Sequence, residues 1–395
     1  MKPEINYYND YHFTRIGIFI IILHLVTAVS IFYYLSIRIP SVELLVITGV
    51  LSYLTLIGIS AGYHRLYAHP SYKIRIWPVE FLLLALGTMT LQSSVKKWAS
   101  DHRRHHKYTD TEQDPYNANK GFWHAHVLWL FTTHRPIDDQ IIHDLNKNKL
   151  VVWQHKNYYW FALLLNVIVS AAIGFITGDM LGAFVFSGLL RIILTYHQTW
   201  SINSIAHFWG KKTYSKDATA RDSLLLMLII PSEGNHNLHH TLQADYRNSL
   251  KWYGIDPTKW IVKTFNSLGW TSNLIEYDKK TILKTMLKCD RDSAFNNLSK
   301  LSTLPDELKK VISVNREVLK KDIEESINKL YSSITSSYEK MTIYKDKLRQ
   351  LKKDSALKKN KKLLRLQKTG AKNNYREDLK KWYQIIDVLL DPKLV

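Results

Sequence analysis

The sequence predicts an all-α integral membrane protein: four transmembrane helices, a di-metal histidine site at their cytoplasmic face, and a helical C-terminal extension. Three observations predict it. Four apolar runs are long enough to cross a bilayer, nine of the 17 histidines gather at or just beyond the ends of apolar segments, and the composition changes after residue 280. The chain has 395 residues, 46% of them hydrophobic, and a formal net charge of +20. Its length allows one large domain or two.

A helix needs about 20 apolar residues to span the hydrocarbon core. The runs at about 15–37, 41–62, 158–177 and 180–204 meet that length. Short links around Arg38-Ile39-Pro40 and Gly178-Asp179 pair them as antiparallel hairpins. The first run starts too late and runs too long for a cleaved signal peptide. A further apolar stretch, Val79 to Leu91, is too short to cross and reads as a buried or interfacial helix. The two links hold a single basic residue, Arg38, whereas residues 63–157 and everything after 205 are rich in Lys and Arg. The positive-inside rule then places both termini and all nine clustered histidines in the cytoplasm. That means the endoplasmic reticulum membrane in a eukaryote and the inner membrane in a bacterium.

The histidines fall into four clusters. His64 and His69 follow the second run; five residues is about 140° round an unbroken helix, so they do not share a face there. Pro70 disfavours helical geometry at His69, so the pair reads as flanking a site where the helix ends. His102, His105 and His106 repeat the H-x-x-H-H spacing of His236, His239 and His240. Positions i, i+3 and i+4 fall on one helix face, so each triad is expected to aim three donors at one point. Asn203 and His207, four apart, close the fourth run. His24 reads as unpaired and structural; His12, His124, His126, His134, His143 and His155 fit no ligand spacing and default to surface or supporting roles. Arg191 and His197 belong inside the fourth run and should face the bundle interior.

The single cysteine, Cys289, excludes an internal disulfide and any Cys-based zinc or iron–sulfur site. Nine imidazoles exceed what one ion takes, so two metals with open positions are expected. Nitrogen ligation of two iron ions at a membrane face suits O₂ activation. No nucleic-acid motif accompanies the basic surplus; with the apolar runs it points to anionic lipid or an acidic partner.

The boxes His64-Arg-Leu-Tyr-Ala-His69, His102-Arg-Arg-His105-His106 and Glu233-Gly-Asn-His236-Asn-Leu-His239-His240 resemble those of the membrane fatty acyl-CoA desaturases of the stearoyl-CoA Δ9 type. Trp98-Ala99, Asp114-Pro115, Gly121-Phe122 and Asn203-Ser-Ile-Ala-His207 extend the similarity, which covers roughly residues 10 to 275. The resemblance implies a cytosolic cap over four spans and a di-iron centre on the nine histidines, with Asn203 reaching one metal through water. It also implies a kinked acyl tunnel at Gln92, Thr199 and Trp200, and a Δ9 cut in a long-chain acyl-CoA. The sequence departs from the family pattern at Ser93, Ser100 and Thr133-His134, near the CoA head group. Lys96, Lys97, Lys120 and Arg135 can supply the positive charge instead. CoA is the first choice of carrier; acyl carrier protein and glycerolipid are alternatives, as is a related di-iron hydroxylase. A non-catalytic metal-binding or transport protein would need ligands in mid-span, whereas these cluster at one membrane face.

Residues 1–280 are thus expected to form the membrane domain and 281–395 a basic, helical or partly disordered extension. The extension holds 27 Lys and Arg against 15 Asp and Glu, +12 of the total charge, and no histidine. Ile323, Ile327, Leu330, Ile334, Tyr338, Met341 and Leu348 recur at mostly three- and four-residue steps, predicting an amphipathic helix paired with a turn-rich last 40 residues. The Lys-rich block 352–368 reads as a solvated appendage, with anionic lipid or an acidic redox partner as alternatives. It lacks a His-Pro-Gly-Gly haem motif, so electrons are expected from a separate carrier such as cytochrome b5 or a ferredoxin.

Overall fold

A computed structural model describes residues 7–8, 10–230, 232–250, 254–301, 316–350 and 358–390. The chain divides into two compact units, Met1–Lys212 with Asp217–Glu276, and Thr213–Lys216 with Tyr277–Val395. In the first, α1 (Arg15–Ile37), α2 (Val42–Ala68), α7 (Tyr158–Thr177) and α8 (Met180–Phe208) are long and apolar enough to cross a membrane. Between and after them lie α3 (Trp77–Thr88), α4 (Val95–Lys107), α5 (Phe122–His126), α6 (Lys149–Lys156), α9 (Leu224–Ile229), α10 (His236–Thr241) and α11 (Pro257–Ser267).

Local chemistry sets the helix ends. The Thr14 hydroxyl accepts from Gly17 N–H at the start of α1, and the Ser41 hydroxyl accepts from Leu44 N–H at the start of α2. These are the side-chain N-caps that free helix N–H groups require. Gly178, in the left-handed region, ends α7, and the Asp179 carboxylate accepts from Gly182 N–H to start α8. Asp179 also accepts from the Tyr34 hydroxyl at 2.5 Å and pairs with Arg38 at 3.4 Å, so the two short links meet. Along α1, Ile18, Phe19, Ile22, Leu25 and Val29 point outward. Such a face belongs against lipid rather than water.

Inside, α2 packs against α3, α4, α7 and α8. Its last stretch, Gly58–Ala68, is π-helical and packs on α3. A Cβ on Gly58 would strike the backbone of Leu86 and Gly87; a Cβ on Gly87 would sit 2.5 Å from the Tyr63 ring. Small residues let these two helices close to backbone contact. Tyr63 is fully buried, and its hydroxyl accepts from Gln154 at 2.9 Å. Arg191 is also fully buried; its guanidinium donates to the Asn166 side chain, Ser187 O and Met89 O. As the sequence implied, it faces the bundle interior. The two-residue strands β1 (Lys73–Ile74) and β2 (Thr271–Ser272) pair antiparallel and tie the chain after α11 to the loop following α2.

The second unit contains α12 (Lys279–Leu301), α13 (Arg316–Gln350) and α14 (Lys358–Leu389). Leu287, Ala294, Ile327, Ile334, Trp382 and Ile386 form its core. The amphipathic helix expected from residue 323 is present, but its partner is not turn-rich: it is the 32-residue α14. Tyr338 meets Tyr375, and the Ser333 hydroxyl donates to Asp378, fixing the antiparallel register. Tyr375, Leu379, Trp382 and Ile386 supply an apolar stripe that the Lys-rich composition masked. Of the block 352–368, residues 352–357 lie outside the described residues.

Because overpacking a tight helix contact costs about 1–3 kcal/mol, Gly87→Ala should lower the thermal unfolding midpoint of the detergent-solubilised protein by several degrees. An unchanged midpoint would show that the Tyr63 ring can move aside.

Candidate metal centre

Four helix ends deliver nine imidazoles. The π-helical end of α2 explains the first pair. Its i→i+5 bonding, closed by His69 N–H to His64 O at 2.9 Å, widens the turn and swings His69 back over His64. The ring centroids are 4.8 Å apart. Arg103 then caps this end, donating to Tyr67 O and Ala68 O while forking onto Asp144 at 2.7 and 2.8 Å. Buried Arg65 donates to Ser232 O and Tyr246 O and pairs with Asp256 at 3.0 Å, tying α2 to the loop before α10. Asp222 accepts from Asn237 N–H and Leu238 N–H, two of the first amides of α10.

The nine rings form two groups: His64, His69, His102, His106 and His239, and His105, His207, His236 and His240. Within each, one ligand nitrogen from every residue lies within 4.8 Å of the others. This corrects the expectation that each H-x-x-H-H triad aims at one point. On α4, His102 and His106 enter the first group and His105 the second; on α10, His236 and His240 enter the second and His239 the first. At about 100° per residue, i+3 and i+4 lie on opposite sides of i, so the triad splits.

Their nitrogens face each other closely. His239 Nε2 lies 2.9 Å from His64 Nε2 and 3.0 Å from His106 Nε2. His69 and His102 approach to 2.9 Å. His240 Nε2 lies 3.2 Å from His105 and 3.1 Å from His236, which is 3.2 Å from His207. In the second group hydrogen bonds do not account for all of these approaches. His105 gives its Nδ1 proton to Asp114 at 2.8 Å. The Thr219 hydroxyl donates to Asp110, so His207 Nδ1 must donate to Thr219 at 2.7 Å. In the neutral rings, both Nε2 atoms therefore carry lone pairs aimed inward. A cation relieves that repulsion. With metal–nitrogen bonds of about 2.1 Å, adjacent ligands of an octahedral ion sit about 3.0 Å apart, which the observed approaches match. The residues present therefore fit two metal ions.

Electrostatics prepares the same donors. Burial, with neighbouring imidazoles, holds His69, His102, His106, His239 and His240 well below the ordinary histidine range, and burial first, then His105, lowers His236 to about 3. These rings are neutral at pH 7, the form that ligates. Glu233 is buried, 3.5 Å from His64 Nδ1, and accepts from Ser60 and Asn248. Burial alone would raise its carboxyl, but His64 and Arg65 outweigh this and bring it to about 2.

A cavity of about 900 Å³ runs from these rings between the long helices. His64, His102 and His236 line it beside Gln92, Thr199, Trp200 and Asn203, all singled out from the sequence. Gln92 donates to the Thr199 hydroxyl at 2.9 Å. Lys97 also lines it, paired with Asp101 at 2.8 Å and donating to Arg135 O at 3.1 Å. Lys96 and Arg135 are not among the lining residues: Lys96 pairs with Asp139 at 3.7 Å, and the Arg135 guanidinium lies over Tyr7.

Sequence reasoning left several partners without a role. Asp114 lies nine residues past His105, and Asp110, Thr219, Asp222 and Glu233 carry no spacing signal of their own. His24 is not unpaired, since it meets His197, and His124 and His126 are buried rather than superficial.

The fatty acid desaturase family model matches residues 41–266. A "Probable acyl-CoA desaturase" of Schizosaccharomyces pombe is 37% identical over 235 residues, 59% of this chain and 49% of that protein. A "Stearoyl-CoA desaturase 5" of Bos taurus is 34% identical over 60% of this chain and 70% of its own length. A "Delta(9)-fatty-acid desaturase fat-6" of Caenorhabditis elegans is 37% identical over 57% and 66%. The matched stretch thus spans about half the length of the fission-yeast relative. With that match covering three of the four long apolar helices and all nine converging histidines, the chain belongs to the fatty acid desaturase family.

Proposed function

We propose that this protein introduces a cis double bond at the Δ9 position of a long-chain saturated acyl-CoA. The observation that carries the reading is the opening of the cavity onto both histidine groups, seen in the shared lining by His64, His102 and His236. The relatives' names point to acyl-CoA substrates. We assign His64, His69, His102, His106 and His239 to one iron and His105, His207, His236 and His240 to the other, with Asn203 beside them. Bound iron supplies O₂ activation strong enough to remove hydrogen from an unactivated methylene. Two substrate hydrogens, two electrons and two protons then reduce one O₂ to two waters. The electrons are assigned to a separate carrier such as cytochrome b5 or a ferredoxin.

The chain's own residues bind, orient and exclude water. Leu23, Leu163, Val185 and Leu189 line the apolar cavity, which suits an alkyl chain. Gln92 and Thr199 close on each other across the wall, and Trp200 presses beside them. Lys97, with Arg135 and Lys96 nearby, brings positive charge to the polar part of the lining for the carrier phosphates. The basic segments and both termini are assigned to the cytoplasmic side by the charge asymmetry of the links.

Expression of the full chain in a desaturase-deficient host, with double-bond mapping of its lipids, tests this directly. A Δ9 cis-monoene is expected; an alcohol would replace the reading with hydroxylation. His105→Ala and His239→Ala should each abolish turnover and lower bound metal, measured by elemental analysis of the purified protein. Full activity in either rejects the ligand set. Asp114→Asn should keep the fold and weaken metal binding about 10–100-fold, because an imidazole's outer partner fixes its orientation. The metal-stripped protein should lose stability as pH falls from about 6.5 towards 3, because the unfolded chain then binds protons that the buried rings refuse. A flat thermal midpoint across that window would contradict the neutral assignment.

A further inference from the structure

A second set of imidazoles lies outside both metal groups. His24 in α1, His197 in α8 and His126 at the end of α5 form one hydrogen-bonded chain. His24 Nε2 and His197 Nε2 are 3.2 Å apart, His197 Nδ1 and His126 Nε2 3.1 Å, and His126 Nδ1 and Ser204 Oγ 2.9 Å. The far end is fixed, because His24 Nδ1 must donate to Ile20 O at 2.8 Å. With three neutral rings, His197 donates to His24 and His126 donates to His197, and His126 Nδ1 faces the Ser204 hydroxyl, whose one proton is shared with Trp200 O at 3.0 Å. Every ring nitrogen in the chain has a partner, and no lone pairs are opposed. That contrasts with the nine-histidine groups, so this chain is a clamp rather than a ligand set.

All three rings surround Trp200. His24 is stacked parallel to the indole at 6.4 Å and 18°, while His197 and His126 meet it edge-on at 5.2 and 5.9 Å. Tyr196 stacks on it at 5.1 Å, itself held by its hydroxyl to Leu91 O. Trp200 lines the cavity next to Thr199 and Asn203. Four aromatic rings thus brace this buried indole where it lines the cavity beside the histidine groups.

We propose that His24, His126 and His197 are positioning residues that hold Trp200 and thereby fix which methylene pair of the acyl chain is desaturated. This rests on the acyl desaturase reading above. The test expresses the full chain, His197→Ala, His24→Ala and the conservative His197→Gln in a desaturase-deficient yeast, and maps double bonds by mass spectrometry of dimethyl disulfide adducts. His197→Ala removes the central link. Selectivity for one position over its neighbours should fall roughly tenfold, since displacements of about 1 Å change reactivity by about 100-fold. His24→Ala, at the half-buried outer end, should shift it in the same direction by less, and decides the matter if His197→Ala fails to accumulate. His197→Gln, able to accept and donate, should restore much of the selectivity. Bound metal should stay at the wild-type level in each. An unchanged double-bond position in the alanine variants that accumulate overturns the proposal; a wild-type chain that makes no double bond overturns the desaturase reading itself.

Discussion

Inward-facing lone pairs dominate this protein. Two groups of buried imidazoles hold their Nε2 atoms near 3 Å from one another, and in the second the outer bonds of His105 and His207 turn both of their Nε2 lone pairs inward, an arrangement suited to a cation. Much of the surrounding structure opposes the tendency of these rings to part. Arg103 clamps the end of α2, Asp222 caps α10, and Asp114 and Thr219 hold the outer nitrogens of His105 and His207. Arg65 stitches α2 to the loop that leads into α10. Removing any of these leaves the ligand list intact and loosens its geometry.

The bundle was legible in the sequence because lipid makes long apolar runs the dominant signal, and four runs of that kind gave four helices. The repeated H-x-x-H-H spacing singled out six of the nine candidate ligands as residue types. Their division did not follow, because a face is a coarse description and 100° per residue separates i+3 from i+4. The pairing of His64 with His69 was hidden too: an α-helical wheel places them about 140° apart, and the π-helical turn that reunites them has no residue signature here. His24 looked solitary because its partner lies 173 residues away. In the second unit, lysine-rich composition concealed the stripe that makes α14 a helix, while the pattern in α13 was plain.

The cavity and the histidine groups are one construction. The helix whose π-helical end carries His64 also walls the cavity with Leu56, Ile59 and Ser60, and α8 supplies both Trp200 and His207. On the proposed reading, a substrate lying there is indexed against the candidate metal positions by continuous helices rather than by loops. The second unit has a core of its own around Trp382, so its helices do not depend on that construction for their hydrophobic packing.

The split triads have a further consequence. Because α4 and α10 each serve both groups, an ion bound on one side would bear on the helices that present the rings of the other. On the ligand assignment proposed above, loading is cooperative, and a scarce supply of ions leaves a mixture of full and empty molecules rather than a population of half-filled ones.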